Sequence, residues 1–199
     1  DEKGMVLVGR AAKDRLVTHP EHTASQFKRL MGTSEKLYLG RRQYSAEELS
    51  ALVLKQLKAD AEMFLGVPVT EAIISVPAYF NNHQRTATLN AARLAGLKVD
   101  RLINEPTAAA LAYGIQEAQD ERRFIIIDLG GGTLDVSILE KFDDLLEVHA
   151  TSGDSFLGGE DFTAAMLGAF CQQLGFERQS LTREERAHLY RTCEEAKKA

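Results

Sequence analysis

The chain reads as an α/β protein. Helix-type and strand-type segments alternate between Ser45 and Gly114, as they do when helices cover a sheet. From Phe124 three strand-type runs follow in close succession, FIIID, LDVSILEKF and LLEVHATSG, and these predict an antiparallel meander. Two helical segments come after the meander.

Met5 to Val8 reads as a short strand, and HTASQFKRLMG as a short helix closed by Gly32. Residues 33–44 are polar and read as irregular. Ser45 with Glu48 three positions on makes a capping box, in which each side chain satisfies the other's backbone N–H. It opens a long helix with Leu49, Leu52, Val53, Leu57 and Phe64 on the apolar face and Gly66 at the left-handed cap. EAIISVPAYF is a buried strand stopped by Pro77. The next helix sets Ala87, Ala91, Leu94 and Ala95 on one face and stops at Gly96. VDRLINE is another strand, and Pro106, which has no N–H to leave unpaired, starts a helix running to Gly114. The polar stretch QEAQDERR before Phe124 is the best boundary within the chain. Past the meander come EDFTAAMLGAFCQQLG and a helix capped by Thr182 and Glu185.

With 199 residues, 44% of them hydrophobic and 27% charged, the chain is an ordinary globular protein in composition. A net charge of −5 and the lack of any basic block argue against nucleic acid and anionic membranes as partners. Cys171 and Cys193 form no C-x-x-C pair and read as small buried apolar residues. The histidines have no metal-ligand spacing, no apolar run nears the ~18 residues of a membrane span, and no signal peptide opens the chain. A cytoplasmic location is expected. Both ends break into patterned segments, so the chain is expected to be a piece of a longer protein.

Chemistry enters at FIIIDLGGGTLDVSIL, where Gly130, Gly131 and Gly132 stand between two strands with Asp128 before them and Asp135 after. A Walker loop or a dinucleotide fingerprint would feed a helix. Here Leu134 to Ile138 alternates strictly, so a strand follows and the unit is a hairpin. Successive glycine N–H groups at such a turn can hold an anion, because no side chain blocks the approach. Thr133 adds a hydroxyl, and Asp128 is placed to hold a divalent cation or a water beside a phosphate. The bland alternative is a tight turn that uses glycine for backbone freedom alone. Glu105 ends a strand and begins the Pro106 helix, a place where ligand crevices open and where a helix N-terminus favours a carboxylate. Capping alone would also account for it.

VPAYFNNHQRTAT, RLINEPTAAALAYG, DLGGGTLDVSIL, GDSFLGGEDF and FKRLMG together closely resemble the DnaK family, the seventy-kilodalton heat-shock chaperones, in order and spacing. The short stretch between Gly32 and Ser45 resembles the HscC branch of that family. The resemblance implies an actin-like ATPase fold, two lobes with mixed β-sheets flanked by helices, incomplete in this chain. On that map residues 1–44 are the shortened outer part of the first lobe and 45–119 its inner part. Residues 120–157 are the inner part of the second lobe with the phosphate hairpin, and 158–199 start its outer part.

What the resemblance implies for single residues is as follows. Lys28 matches a lysine that reaches the γ-phosphate and the attacking water, and Glu105 a carboxylate that places the water shell of Mg²⁺. Asp128 matches a carboxylate near Mg²⁺ and the nucleophilic water. Gly130, Gly131, Gly132 and Thr133 match a phosphate hairpin, with Thr133 also among the catalytic groups. Gly159, Glu194, Lys197 and Lys198 match positions around the nucleotide, Lys198 standing where many members have an adenine-stacking arginine. Pro77 and Arg85 match a proline–arginine relay between domains. The implied cofactors are ATP or ADP with Mg²⁺, and the implied activity is ATP hydrolysis coupled to cycles of unfolded-peptide binding. The peptides would bind a C-terminal domain outside this chain, and a J-domain co-chaperone is a further implied partner. An exchange factor is not expected, because the shortened stretch removes surface such factors use. The first phosphate hairpin of the family, a D-L-G-T-T-type turn, is not among these residues, so the chain alone is expected to be inactive. A sugar or acetate kinase, or a filament-forming ATPase of the same fold class, is the alternative.

Overall fold

The computed structural model describes residues 4–114, 122–143 and 145–199. The proposed boundary lies largely outside them, at 116–121. Six α-helices and three small sheets make up the described residues.

The first forty-five residues depart most from the sequence reading. Met5 to Val8 is not a strand and belongs to none of the three sheets of the described residues. Helix α1 (Arg10–Thr18) follows, uncapped by any side chain, and packs on α6 (Arg183–Lys198). It has neither a capping side chain nor an acidic residue in its first turn, so the sequence offers no start signal for it. The helix expected over His22 to Gly32 is only a 3-10 helix, Phe27–Leu30, entered through Gln26 at φ 60. Residues 33–44 are not irregular. Strands β1 (Lys36–Leu39) and β2 (Arg42–Ser45) pair antiparallel across Gly40–Arg41, with Gly40 at φ +61. A glycine at the first position of a two-residue turn is a hairpin signal, and polar side chains hid it.

From Ser45 onward the elements agree. Ser45 and Glu48 form both capping bonds at the start of α2 (Ala46–Leu65), and Gly66 ends it in the left-handed region. Strand β3 (Ile74–Val76), helix α3 (Asn82–Leu94) and strand β4 (Leu102–Asn104) form a crossover unit with parallel β3 and β4. Helix α4 (Glu105–Ala112) starts where β4 ends, with Pro106 in its first turn. The meander is β5 (Arg122–Leu129), β6 (Leu134–Phe142) and β7 (Leu145–Asp154), all antiparallel. Helix α5 (Gly159–Gln173) and α6 with its Thr182–Glu185 capping box complete the chain.

The core lies mainly in the first half. Met31, Ala46, Val76, Phe80 and Ala87 pack together, with Phe27, Leu30 and Leu102 against them. A neighbouring cluster of Ala92, Ala95 and Leu97 meets Leu54, Val69 and Ile74. Two predicted faces shift by a residue or two. Leu94 is exposed and Ala92 takes its place, while the distal end of α2 leaves Leu57 and Phe64 exposed. Periodicity gives a stripe but not how far a neighbour covers it. Cys171 is buried and Cys193 half-buried, both as free thiols. No described helix is long and apolar enough to cross a membrane.

Candidate functional site

In a 3-10 helix residues three apart eclipse one another. Phe27 and Leu30 therefore share one face, and both pack on the core. Lys28 and Arg29 are left to project elsewhere, in two different directions. Lys28 Nζ donates to Glu105 Oε1 at 2.8 Å and lies 6.0 Å from the centre of the Phe80 ring. Glu105 is the first residue of α4, so the pair joins the 3-10 segment to the end of β4.

The glycine hairpin is as tight as its sequence implied. Asp128 faces Asp135 in register, Leu129 faces Leu134, and Gly130 N–H donates to Thr133 O at 2.9 Å. Yet none of the three glycines has φ in the left-handed region. Backbone freedom therefore does not explain them. A Cβ on Gly131 would meet nothing within 4 Å, and one on Gly130 only ordinary contacts. Gly130 and Gly131 leave space open over the turn, whereas a Cβ on Gly132 would press on Arg29 Nε at 3.0 Å.

The carbonyls of the turn are all engaged. Gly130 O accepts from Gly159 N–H and Gly131 O from Glu160 N–H, each at 2.9 Å, and Gly132 O accepts from Arg29 Nε–H at 2.9 Å. A trans peptide sets its N–H opposite its C=O. The N–H groups of Gly131, Gly132 and Thr133 are thereby turned away from α5 and Arg29, and successive N–H groups at a turn can hold an anion.

Three residues that sequence reasoning passed over hold this arrangement. Arg29 forks onto Asp161, Nη1 to Oδ1 at 3.1 Å and Nη2 to Oδ2, while its Nε–H holds Gly132 O. Asp161 also accepts Gly158 N–H at 2.7 Å. Hydrogen bonding to Arg29 keeps the Asp161 carboxyl below the usual carboxylate range, against the opposing effect of burial. Gly158 itself is a close approach, since a Cβ there would lie 2.5 Å from Gly132 N. The double glycine before E-D was its available signal.

Pro77 is fully buried after β3. Arg85 is half-buried and not a solvated helix residue. Its Nε donates to Phe80 O at 2.9 Å and its Nη2 to Ala78 O at 3.3 Å and Asn104 Oδ1 at 2.8 Å. Arg85 thus links the turn after Pro77 to the residue just before Glu105. In the same turn Tyr79 N–H donates to Oδ1 of Asp135, a buried residue of β6, at 3.1 Å.

The α6 residues stand apart from this cluster. Lys197 Nζ donates to Gly159 O at 2.6 Å and Thr163 Oγ1 at 2.7 Å, holding α6 to the first turn of α5. Glu194 accepts from Lys13 at 2.6 Å and Lys198 at 2.7 Å. Glu194 and Lys198 line a cleft of about 1100 Å³ between the N-terminal segment and α6, which the hairpin glycines, Lys28, Glu105 and Asp128 do not line.

The lysines, Lys13 first, hold the Glu194 carboxyl down to about 2. A depressed folded-state value adds stability above the unfolded value and loses it as pH falls. Denaturant titrations between pH 5 and 2 should therefore show a steeper acid loss for the native protein than for Glu194→Gln. The difference should be small, since both lysines are over half exposed and solvent screens the pairs. Identical acid limbs would mean that the pairs add nothing to stability.

Among known families, the model described as Hsp70 protein matches residues 34–199. Lys28 and Arg29 precede the matched segment, and every other residue of the site lies within it.

Proposed function

The chain belongs to the Hsp70 family, whose members are chaperones that bind and hydrolyse ATP on an actin-like fold, and from that membership we propose that residues 1–199 form part of a nucleotide-binding domain driving cycles of unfolded-peptide binding and release. The observation that carries the reading is the hairpin at Gly130–Thr133. Its three carbonyls are engaged by the start of α5 and by Arg29, which turns the following N–H groups away from those partners, and none of its glycines has a left-handed φ. That is a phosphate cradle. Within the family, the short β1–β2 hairpin region favours the HscC-like branch.

Hydrolysis of the γ-phosphoryl group requires positioning and charge neutralisation more than covalent help. In the proposed mechanism the N–H groups of Gly131, Gly132 and Thr133 hold phosphate oxygens, with the Thr133 hydroxyl beside them. Lys28 brings an ammonium to the γ-phosphate and the attacking water, and Glu105 holds Lys28 and the local water in place. Mg²⁺ is commonly held by one or two carboxylates together with waters and phosphate oxygens. Asp128, beside the cradle, fits that donor set directly and Glu105 through water, and the ion would neutralise phosphate charge there. Gly159, Glu194, Lys197 and Lys198 are assigned to the nucleoside side. The four-part lobe map, the cytoplasmic location, a J-domain partner and the lack of an exchange factor belong to the same proposal.

Pro77 and Arg85 are proposed to carry the nucleotide state outward. Arg85 reaches Asn104, whose neighbour Glu105 holds Lys28, so a change at the phosphate has a short bonded route to the Pro77 turn. Full-length protein should hydrolyse ATP faster when an unfolded peptide is added, which a sugar kinase or filament protein would not do. Arg85→Ala should leave basal turnover near normal and weaken that stimulation. Unchanged stimulation in the variant would remove Arg85 from the relay, and no stimulation in the native protein would remove the chaperone reading.

A further inference from the structure

We propose that Arg29 is a positioning residue for the phosphate cradle, setting the last of its three N–H donors and tying the cradle to the segment that carries Lys28. The inference rests on the nucleotide reading of the hairpin, and it assigns a role to a residue outside the matched family segment.

Two of the three cradle carbonyls are fixed by backbone donors at the start of α5, Gly159 N–H and Glu160 N–H. Those bonds are indifferent to side-chain identity. The third is fixed by a side chain alone, through Arg29 Nε–H to Gly132 O at 2.9 Å. Because the Gly132–Thr133 peptide is planar, this bond decides where Thr133 N–H points. A guanidinium has the fork this task needs. Its Nε–H edge can hold the carbonyl while both terminal nitrogens engage one carboxylate. Here that carboxylate is Asp161, which in turn accepts Gly158 N–H at 2.7 Å.

Arg29 is well buried for an arginine, its side chain 14% exposed. The nearby carboxylates reinforce its charge, Asp161 most of all. Arg29 lies next to Lys28 in one short helix whose other two residues, Phe27 and Leu30, are anchored in the core. The distance from the Lys28 ammonium to the cradle is thus set by one rigid segment gripping both. Lysine cannot replace this residue. Its three donors sit on one nitrogen, so it lacks the planar fork that holds Gly132 O along one edge while two further nitrogens take both oxygens of Asp161.

The test is calorimetric binding of ATP, ADP and AMP with Mg²⁺ to full-length protein, native and with Arg29→Lys or Asp161→Asn. Both variants are near in shape to the native residue, and thermal melts establish that each is folded. A misset cradle should weaken ATP and ADP by roughly 10-fold or more, the scale of one or two charge-assisted bonds. AMP, which depends least on the β- and γ-phosphate donors, should be nearly unchanged. A purely structural role would lower the melting temperature and leave the ATP-to-AMP affinity ratio as in the native protein, and that outcome overturns the proposal. Failure of the native protein to prefer ATP over AMP would instead overturn the nucleotide reading.

Discussion

Replacing Lys28 by alanine in the full-length protein is expected to cut ATP turnover by roughly 10²-fold or more, the scale on which loss of one pre-organised donor at a developing charge is felt. The side chain is held by Glu105 at 2.8 Å, stands over the Phe80 ring, and leaves a half-exposed segment whose backbone is fixed by Phe27 and Leu30. An ammonium so placed is aimed before the reaction begins, which is the condition for acting on a transition state at little reorganisation cost. Nucleotide binding should survive better than turnover, because the cradle donors and Arg29 stay in place. Single-turnover hydrolysis with a parallel binding titration separates the two effects. Near-normal turnover in Lys28→Ala would take the residue out of the mechanism, and an equal loss of binding would make it a simple phosphate anchor.

Much of the first half of this picture could be read from the sequence. Capping boxes at Ser45 and Thr182, the left-handed stop at Gly66, and Pro106 in a first turn are local signals, satisfied by atoms a few residues apart. The meander was equally legible, because strict alternation has a single geometric reading. What escaped was set by distant partners. Met5 to Val8 has strand-type side chains yet takes no part in any sheet of the described residues. Leu94 fits the stripe of α3 as well as Ala92 does, and only the packing of α2 and its neighbours decides between them.

The site divides in the same way. Lys28, Glu105 and the hairpin could be named from short motifs, and the structure joins Lys28 to Glu105 directly. The reason for the glycines was only half visible. Sequence left open a choice between backbone freedom and ligand approach; none of the three glycines has a left-handed φ, and at Gly132 the packing of Arg29 is a further reason for glycine. Arg29 could not be found that way. Its partners Gly132 and Asp161 lie more than a hundred positions away, and a basic residue beside a basic residue looks like solvated surface. Of the residues assigned to the nucleoside side, Glu194 is paired with Lys198 and, across the cleft, with Lys13. A nucleoside would have to share or displace those ion pairs.

The 199-residue polypeptide by itself should neither hydrolyse ATP nor bind it tightly. The family resemblance implies that two hairpins grip the phosphates, and residues 1–199 contain one of them. The hairpin present offers the N–H groups of Gly131, Gly132 and Thr133 from a single side, and nothing in its geometry encloses a triphosphate. Hydrogen bonds to charged groups contribute ~1.5–3 kcal/mol each. Loss of three or four, with allowance for non-additivity, corresponds to a weakening of at least about 10³-fold relative to the full-length protein. The polypeptide should also self-associate. Ile125, Ile127 and Leu129 form an open apolar row on β5, at 66%, 68% and 50% exposure, and β5 and β7 are the outer strands of the described three-stranded sheet. Calorimetry with ATP and Mg²⁺, on material whose oligomeric state is fixed by light scattering, decides the matter. Micromolar or tighter binding by this polypeptide would mean that one cradle, held by α5 and Arg29, suffices to grip the triphosphate, and the two-hairpin argument would fall.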